Sequence, residues 1–171
     1  EFIDIAEFAS AKREGPYVGD RALGERVRKE LERWREASDK PLFVFVITME
    51  NHGPLHLEKV AADDVARLYR APPPEGCDDL TIYARHLVNA DAMFGEIQTS
   101  LLYSPRESML CIYGDHVPIM PRVYSTLGEP DGKTDYVLWH NRRIASGNRA
   151  TAHDIQDLAA ILLKEVVHRP Q

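Results

Sequence analysis

Three hydrophobic runs in this chain end in residues able to bind ions or move protons. Met109-Leu110-Cys111-Ile112-Tyr113 is followed by Gly114-Asp115-His116. A carboxylate beside an imidazole offers one hard and one borderline donor, a pair that suits zinc or manganese. The glycine lets the chain turn sharply as it leaves a strand. The same residues also read as a turn capped by Asp115 with His116 on the surface, and at this level both readings stand. Leu42–Ile47 is followed by Thr48-Met49-Glu50-Asn51-His52-Gly53-Pro54. In a tight turn, the Asn51 amide and the His52 imidazole can donate to the oxygens of a phosphate, sulfate or carboxylate. Asn and Gly are equally what a bare turn asks for. Tyr136-Val137-Leu138-Trp139 leads into His140-Asn141. Glu50 reads as a solvated carboxylate, with metal ligation or pairing to a cation as alternatives. His56, His86 and His153 read as structural histidines at helix or helix-entry positions. Asp91 lies off the apolar stripe of its helix and reads as solvated or bonded to a neighbouring loop.

Four helices are expected to position these groups. In the first, Asp20 serves as N-cap, and Leu23, Val27, Leu31 and Trp34 recur at helical spacing. Glu25 four residues before Lys29 fits its solvated side. The second covers about Leu57–Tyr69. The third carries the regular stripe Leu80, Tyr83, Leu87, Ala90, Phe94, Ile97 and Leu101. It follows the loop Ala71-Pro72-Pro73-Pro74-Glu75-Gly76, whose prolines exclude helix and central strand. The fourth begins at Thr151, with Asp154 three residues on in a capping-box-like arrangement, and Ile155, Leu158, Leu162 and Val166 as its stripe. Leu42–Ile47 is apolar without alternation, which means burial on both faces, as in a parallel sheet covered by helices. The other two runs are shorter examples of the same kind. The expected fold is therefore α/β, a mostly parallel sheet flanked by helices. Ligands of such sheets bind beyond the carboxyl ends of the strands, where all three polar clusters would then gather.

The 171 residues read as a single domain. Hydrophobic residues are 44% and charged residues 28%, which excludes a disordered chain. The net charge of −6 argues against nucleic acid as a partner, since phosphate neutralisation needs a basic face. The longest apolar runs, Leu42–Ile47 and Leu158–Leu163, fall far short of the roughly 20 residues that cross a bilayer. No charged-then-apolar leader opens the chain. Two cysteines, Cys77 and Cys111, exclude a disulfide-dense scaffold and a four-cysteine zinc site. Cys111 reads as a buried thiol, and a Cys77–Cys111 bridge stays open. Phosphate-loop, dinucleotide-loop, nucleophile-elbow and zincin motifs are absent from the sequence.

Taken in order, FVFVITMENHGP (Phe43–Pro54), YARHLVNADAMFGEI (Tyr83–Ile97), LCIYGDHVPIMP (Leu110–Pro121), TDYVLW (Thr134–Trp139) and HDIQDLAAILL (His153–Leu163) resemble the sulfatase-like proteins of the alkaline phosphatase superfamily. The nearest likeness is to the lipoteichoic-acid-synthase-like and capsule-biosynthesis branch, over residues 20–165. GDH after one strand together with ENHGP after an earlier one is specific as a pair. The resemblance implies an alkaline-phosphatase-like α/β/α sandwich, a divalent metal (Mn or Zn) and a covalent phosphoryl or sulfuryl intermediate. It implies that Asp115 and His116 are metal ligands. It also implies that His52, with Asn51 beside it, contacts the transferred group. The family's nucleophile and remaining acidic ligand come from strands before the one at Leu42, so no catalytic nucleophile is assigned within this chain. The chain then reads as the C-terminal portion of a sulfatase-like catalytic domain.

The implied chemistry is transfer or hydrolysis of a phosphate or sulfate ester carried on a lipid or glycan. With an alcohol acceptor it is transfer of a phosphoglycerol or phosphoethanolamine group in cell-surface polysaccharide biosynthesis; with water it is a phosphatase or sulfatase reaction. By analogy the location is the extracytoplasmic face of the cell envelope, with any membrane contact made through a segment outside this chain. The rival is a non-catalytic binding module with an incomplete metal site.

Overall fold

The computed structural model describes residues 1–142 and 151–167. They divide into two compact units, Glu1–Leu101 with Pro118–Asp131, and Leu102–Val117 with the described residues from Gly132 onward.

In the first unit a short hairpin, β1 (Arg13–Glu14) and β2 (Tyr17–Val18), pairs antiparallel with Glu14 opposite Tyr17. Gly15 starts its two-residue loop at φ +56, a conformation that favours glycine. Helix α1 (Asp20–Ala37) follows at once. Its N-cap is Gly19, in extended conformation, and Asp20 is the first helical residue. The expected Asp20 cap is thus corrected: the Asp20 side chain is fully buried and caps nothing. Arg26 and Glu30, four residues apart on the helix, form an ion pair at 2.8 Å.

The expected helix over Leu57–Tyr69 shrinks to a 3-10 turn at Leu55–Leu57 and the short α2 (Asp64–Leu68). Asp64 is the reason: its carboxylate turns back to accept the Ala61 N–H at 2.8 Å, holding the chain in a turn just before α2. Helix α3 (Asp78–Leu102) forms as its spacing demands, but buries Thr81, Ile82, His86, Ala90, Met93 and Ile97. That face is rotated from the Leu80–Leu87–Phe94 stripe, and Leu87 is exposed. Leu55, Cys77, Ile82, Met120 and Val123 form the core, the last from α4 (Pro121–Leu127), which opens with proline at its first position.

The second unit holds β3 (Met109–Tyr113) and β4 (Tyr136–His140), paired antiparallel with Tyr113 opposite Tyr136 and Met109 opposite His140. The C-terminal helix α5 (Leu158–Val167) starts after a 3-10 turn at Ile155–Asp157, later than the expected Thr151 start.

Two sheet expectations are corrected. Both sheets among the described residues are antiparallel, so no mostly parallel sheet forms from these strands. Leu42–Ile47 pairs with no strand among the described residues, and its side chains lie open, Phe43 at 83%. A uniformly apolar run signals a strand that needs neighbours on both edges and both faces. Without them its backbone has no ladder to join.

Candidate functional site

The residues after Leu42–Ile47 make a tight turn in the first unit. The His52 N–H donates to the Met49 carbonyl at 3.0 Å, so Glu50 and Asn51 occupy the centre of the turn. The two point to different fates. Glu50 is buried, whereas His52, at the exit, is exposed. The His52 Nδ1 lies 2.8 Å from the Gly53 carbonyl and donates to it. That same carbonyl accepts from the Tyr17 hydroxyl at 2.9 Å. The Tyr17 ring meets the imidazole edge-on, with centroids 6.1 Å apart. The β1–β2 hairpin therefore props the outer side of the turn. Asn51 is half-buried, and its Oδ1 is enclosed without a partner among the described residues.

Glu50 anchors the inner side. One carboxylate oxygen accepts the Asp20 N–H at the start of α1, at 2.6 Å. The other accepts from His86 Nδ1 at 2.8 Å and from Asn89 Nδ2 at 2.6 Å, both on α3. A carboxylate at a helix N-terminus is favoured by the helix dipole, and here it also satisfies an orphan amide. His86, fully buried, reaches Glu58 with its second nitrogen at 3.0 Å. Arg85 bonds Glu58 at 2.8 Å and Asp64 at 2.7 Å, and Arg67 bonds Asp64 at 3.0 Å. Acid and base alternate along this line, from Glu50 through His86, Glu58, Arg85 and Asp64 to Arg67.

The electrostatics follow from these partners. Burial pushes the Glu50 carboxyl up, but hydrogen bonds from His86, Asn89 and the Asp20 N–H outweigh it and hold it below the usual carboxylate range. Burial pushes the His86 imidazole down, but its bonds to Glu50 and Glu58 prevail and raise it. Asp20 is the exception. Burial, then the adjacent Glu50 charge, lifts it to about 7, and neither of its carboxylate oxygens has a hydrogen-bond partner among the described residues.

A cavity of 490 Å³ opens over the start of α1, with Glu14, Gly19, Arg21, Glu50 and Asn89 among its walls. His52 is not one of them, so this cavity is not where that imidazole meets a ligand.

In the second unit, Gly114-Asp115-His116 leaves β3 with the turn its glycine allows. The Gly114 N–H donates to Asp135 at 3.2 Å, and Thr134 returns a bond to the Gly114 carbonyl at 2.7 Å. His116 Nδ1 donates to the Val117 carbonyl at 2.9 Å. That bond orients the ring, and Nε2 sits 3.6 Å from an Asp115 carboxylate oxygen. Metal-binding histidines use such a backbone bond on one nitrogen while the other faces the ion. One oxygen and one nitrogen donor, both exposed, therefore fit two positions of a divalent shell. Among the described residues, no group of three His, Cys, Asp or Glu side chains converges to complete it.

The antiparallel ladder separates the third cluster from this one. The exit of β3 lies beside the entry of β4, and the exit of β4 lies beside the entry of β3. His140 and Asn141 thus sit at the opposite end of the ribbon from Asp115 and His116. Asn141 is structural there, accepting from the Ser108 N–H at 2.9 Å and donating to the Arg106 carbonyl at 2.8 Å. His140 faces Glu165 at 3.7 Å, and His153 stacks edge-on against Tyr136. Asp91 and His56 are exposed.

Glu50 is the residue that reading the sequence undervalued, while His86 is a structural histidine on a helix, as expected. Glu50 is no solvated carboxylate; it is buried and bonded to His86 and Asn89. His86 did carry a signal, since Ile82, His86, Ala90, Met93 and Ile97 themselves recur at spacings of four and three.

The family model described as Sulfatase matches residues 1–165. A protein of Rhizobium meliloti (strain 1021), named "Putative cyclic beta-1,2-glucan modification protein", is 27% identical over 113 residues, 66% of this chain. Those residues span 18% of the length of that relative. No solved structure matches the chain.

Proposed function

Because the chain belongs to the sulfatase family, whose fold is α/β of the alkaline-phosphatase kind, we propose that it forms part of the catalytic domain of an enzyme that transfers or hydrolyses a phosphoryl or sulfuryl ester on a cell-surface glycan. The observation that carries this reading is the Asp115–His116 pair, its imidazole oriented by a backbone carbonyl and turned to the neighbouring carboxylate. Asp115 and His116 would hold a divalent metal, Mn or Zn, which when bound would supply Lewis acidity toward an ester oxygen. His52 and Asn51 contact the non-bridging oxygens of the group being transferred, where charge builds in the transition state. The nucleophile comes from residues outside this chain.

The name of the Rhizobium relative supports a glycan as the substrate class; the proposed reaction on it is transfer of a phosphoglycerol or phosphoethanolamine group. No helix among the described residues is long and apolar enough to cross a membrane. The proposed place of action is the extracytoplasmic side of the cell envelope, where such acceptors are found.

The test is made in the full-length protein. Asp115→Ala and His116→Ala should each abolish Mn- or Zn-dependent turnover of a 4-nitrophenyl phosphate or sulfate ester. A β-1,2-glucan acceptor should gain the mass of the transferred group. Turnover that survives both substitutions refutes the proposal. Metal binding without turnover in the unsubstituted protein favours the binding-module reading.

A further inference from the structure

His52 is exposed at the exit of a four-residue turn. Its neighbour in the turn is the opposite. Glu50 makes three hydrogen bonds of 2.6–2.8 Å to two different helices, all to a carboxylate with no exposed surface. The partners are themselves held. His86 is clamped between Glu50 and Glu58, and Asn89 also accepts from Arg21 Nε of α1 at 3.2 Å. Short charge-assisted bonds of this kind fix geometry as well as adding energy. They reach the turn at its second residue, two positions before His52, while Tyr17 holds the carbonyl of the residue after it.

We propose that Glu50 is the positioning residue of the His52 turn, with His86 and Asn89 of α3 as its fixed anchor. Glu50 touches no substrate in this role; it sets where the His52 ring stands. The inference rests on the reading of His52 as a substrate-facing imidazole. A displacement of about 1 Å at a group that meets the reacting atoms can cost on the order of a hundredfold in rate, so an anchor with this many bonds matters.

Two variants test it. Glu50→Gln weakens all three bonds and removes the charge facing His86. Asn89→Ala removes one bond and leaves the His86–Glu50 pair in place. NMR of the chain labelled at its histidine rings reads the His52 environment directly, without any substrate. Turnover of bis(4-nitrophenyl) phosphate by the full-length protein supplied with Mn reads the consequence. Glu50→Gln should move the His52 ring signals and lower kcat about tenfold to a hundredfold with KM within about twofold. Asn89→Ala should do the same to a smaller degree. His52 signals that coincide with those of the unsubstituted chain in folded variants overturn the proposal, as does a loss that falls on KM alone. Should Glu50→Gln fail to fold, Asn89→Ala decides by the same two readings. His52→Ala separates the two ideas: turnover unchanged by that substitution sinks the substrate-facing role of His52, while the NMR arm still judges whether Glu50 positions the turn.

Discussion

Asp20→Asn should stabilise this protein at pH 8 and do little at pH 4. The carboxyl of Asp20 has no exposed surface, neither oxygen finds a donor, and Glu50 lies against it. Burial and that charge raise it from 3.8 to about 7. An acid raised on folding binds its proton more tightly in the native state, so native stability falls as pH rises between the two values. At about 1.4 kcal/mol per pH unit, the ceiling is about 4 kcal/mol, absent below pH 4 and complete above pH 7. Asparagine has the same shape and carries no charge. Glu50 and His86 titrate as well, with opposite signs. Glu50, held low, contributes stability above its ordinary 4.5 that is lost on acidification. His86, held high, contributes stability below its ordinary 6.5 that is lost as pH rises through its raised value. Both are present with and without the substitution, and since Asp20 is coupled to both charges, the difference between the two proteins reads Asp20 together with that coupling. Thermal unfolding followed by circular dichroism at pH 4 and pH 8 is the assay. For a chain of this size 1 kcal/mol corresponds to about 2–4 °C, so the gain in Tm should be about 10 °C larger at pH 8 than at pH 4. An equal shift at both pH values, in either direction, refutes the reasoning and means the carboxylate is satisfied by something other than its proton.

Further outcomes follow from packing and cysteine chemistry. Ile82→Ala empties a position only 1% exposed in the core beside Leu55 and Val123, and should cost about 2–5 kcal/mol in urea unfolding. Gly24→Ala would gain about 1 kcal/mol of helix propensity on an open surface. Here the added Cβ would stand 2.6 Å from Met93 Cγ, an enclosed side chain, so the net effect should be a lower Tm. Cys77 and Cys111 are both free thiols, Cys77 buried and the Cys111 thiol pushed up by burial. A thiol reagent should label the native chain slowly and titrate two groups once urea is added, and a reductant should leave Tm unchanged.

What could be read without coordinates was local and periodic. Helical spacing located α3, apolar runs located β3 and β4, and the pairing of Asn51-His52-Gly53-Pro54 with Gly114-Asp115-His116 identified the family. Each of those signals lies within a few residues of chain. Strand direction does not, because an apolar run reads the same in either direction. Its partner decides, and Tyr136–His140 chose to run against Met109–Tyr113. The parallel arrangement that would have gathered all three polar clusters failed for that reason at the one pair that can be checked. The buried face of α3 was also undecided, since its sequence offers two stripes. The stripe holding His86 faces inward because Glu50 stands there to receive it. Glu50 itself finds partners 30, 36 and 39 residues away. No local pattern announces a carboxylate that will be buried, since its desolvation is tolerable only where folding brings an amide, an imidazole and a carboxamide within reach together.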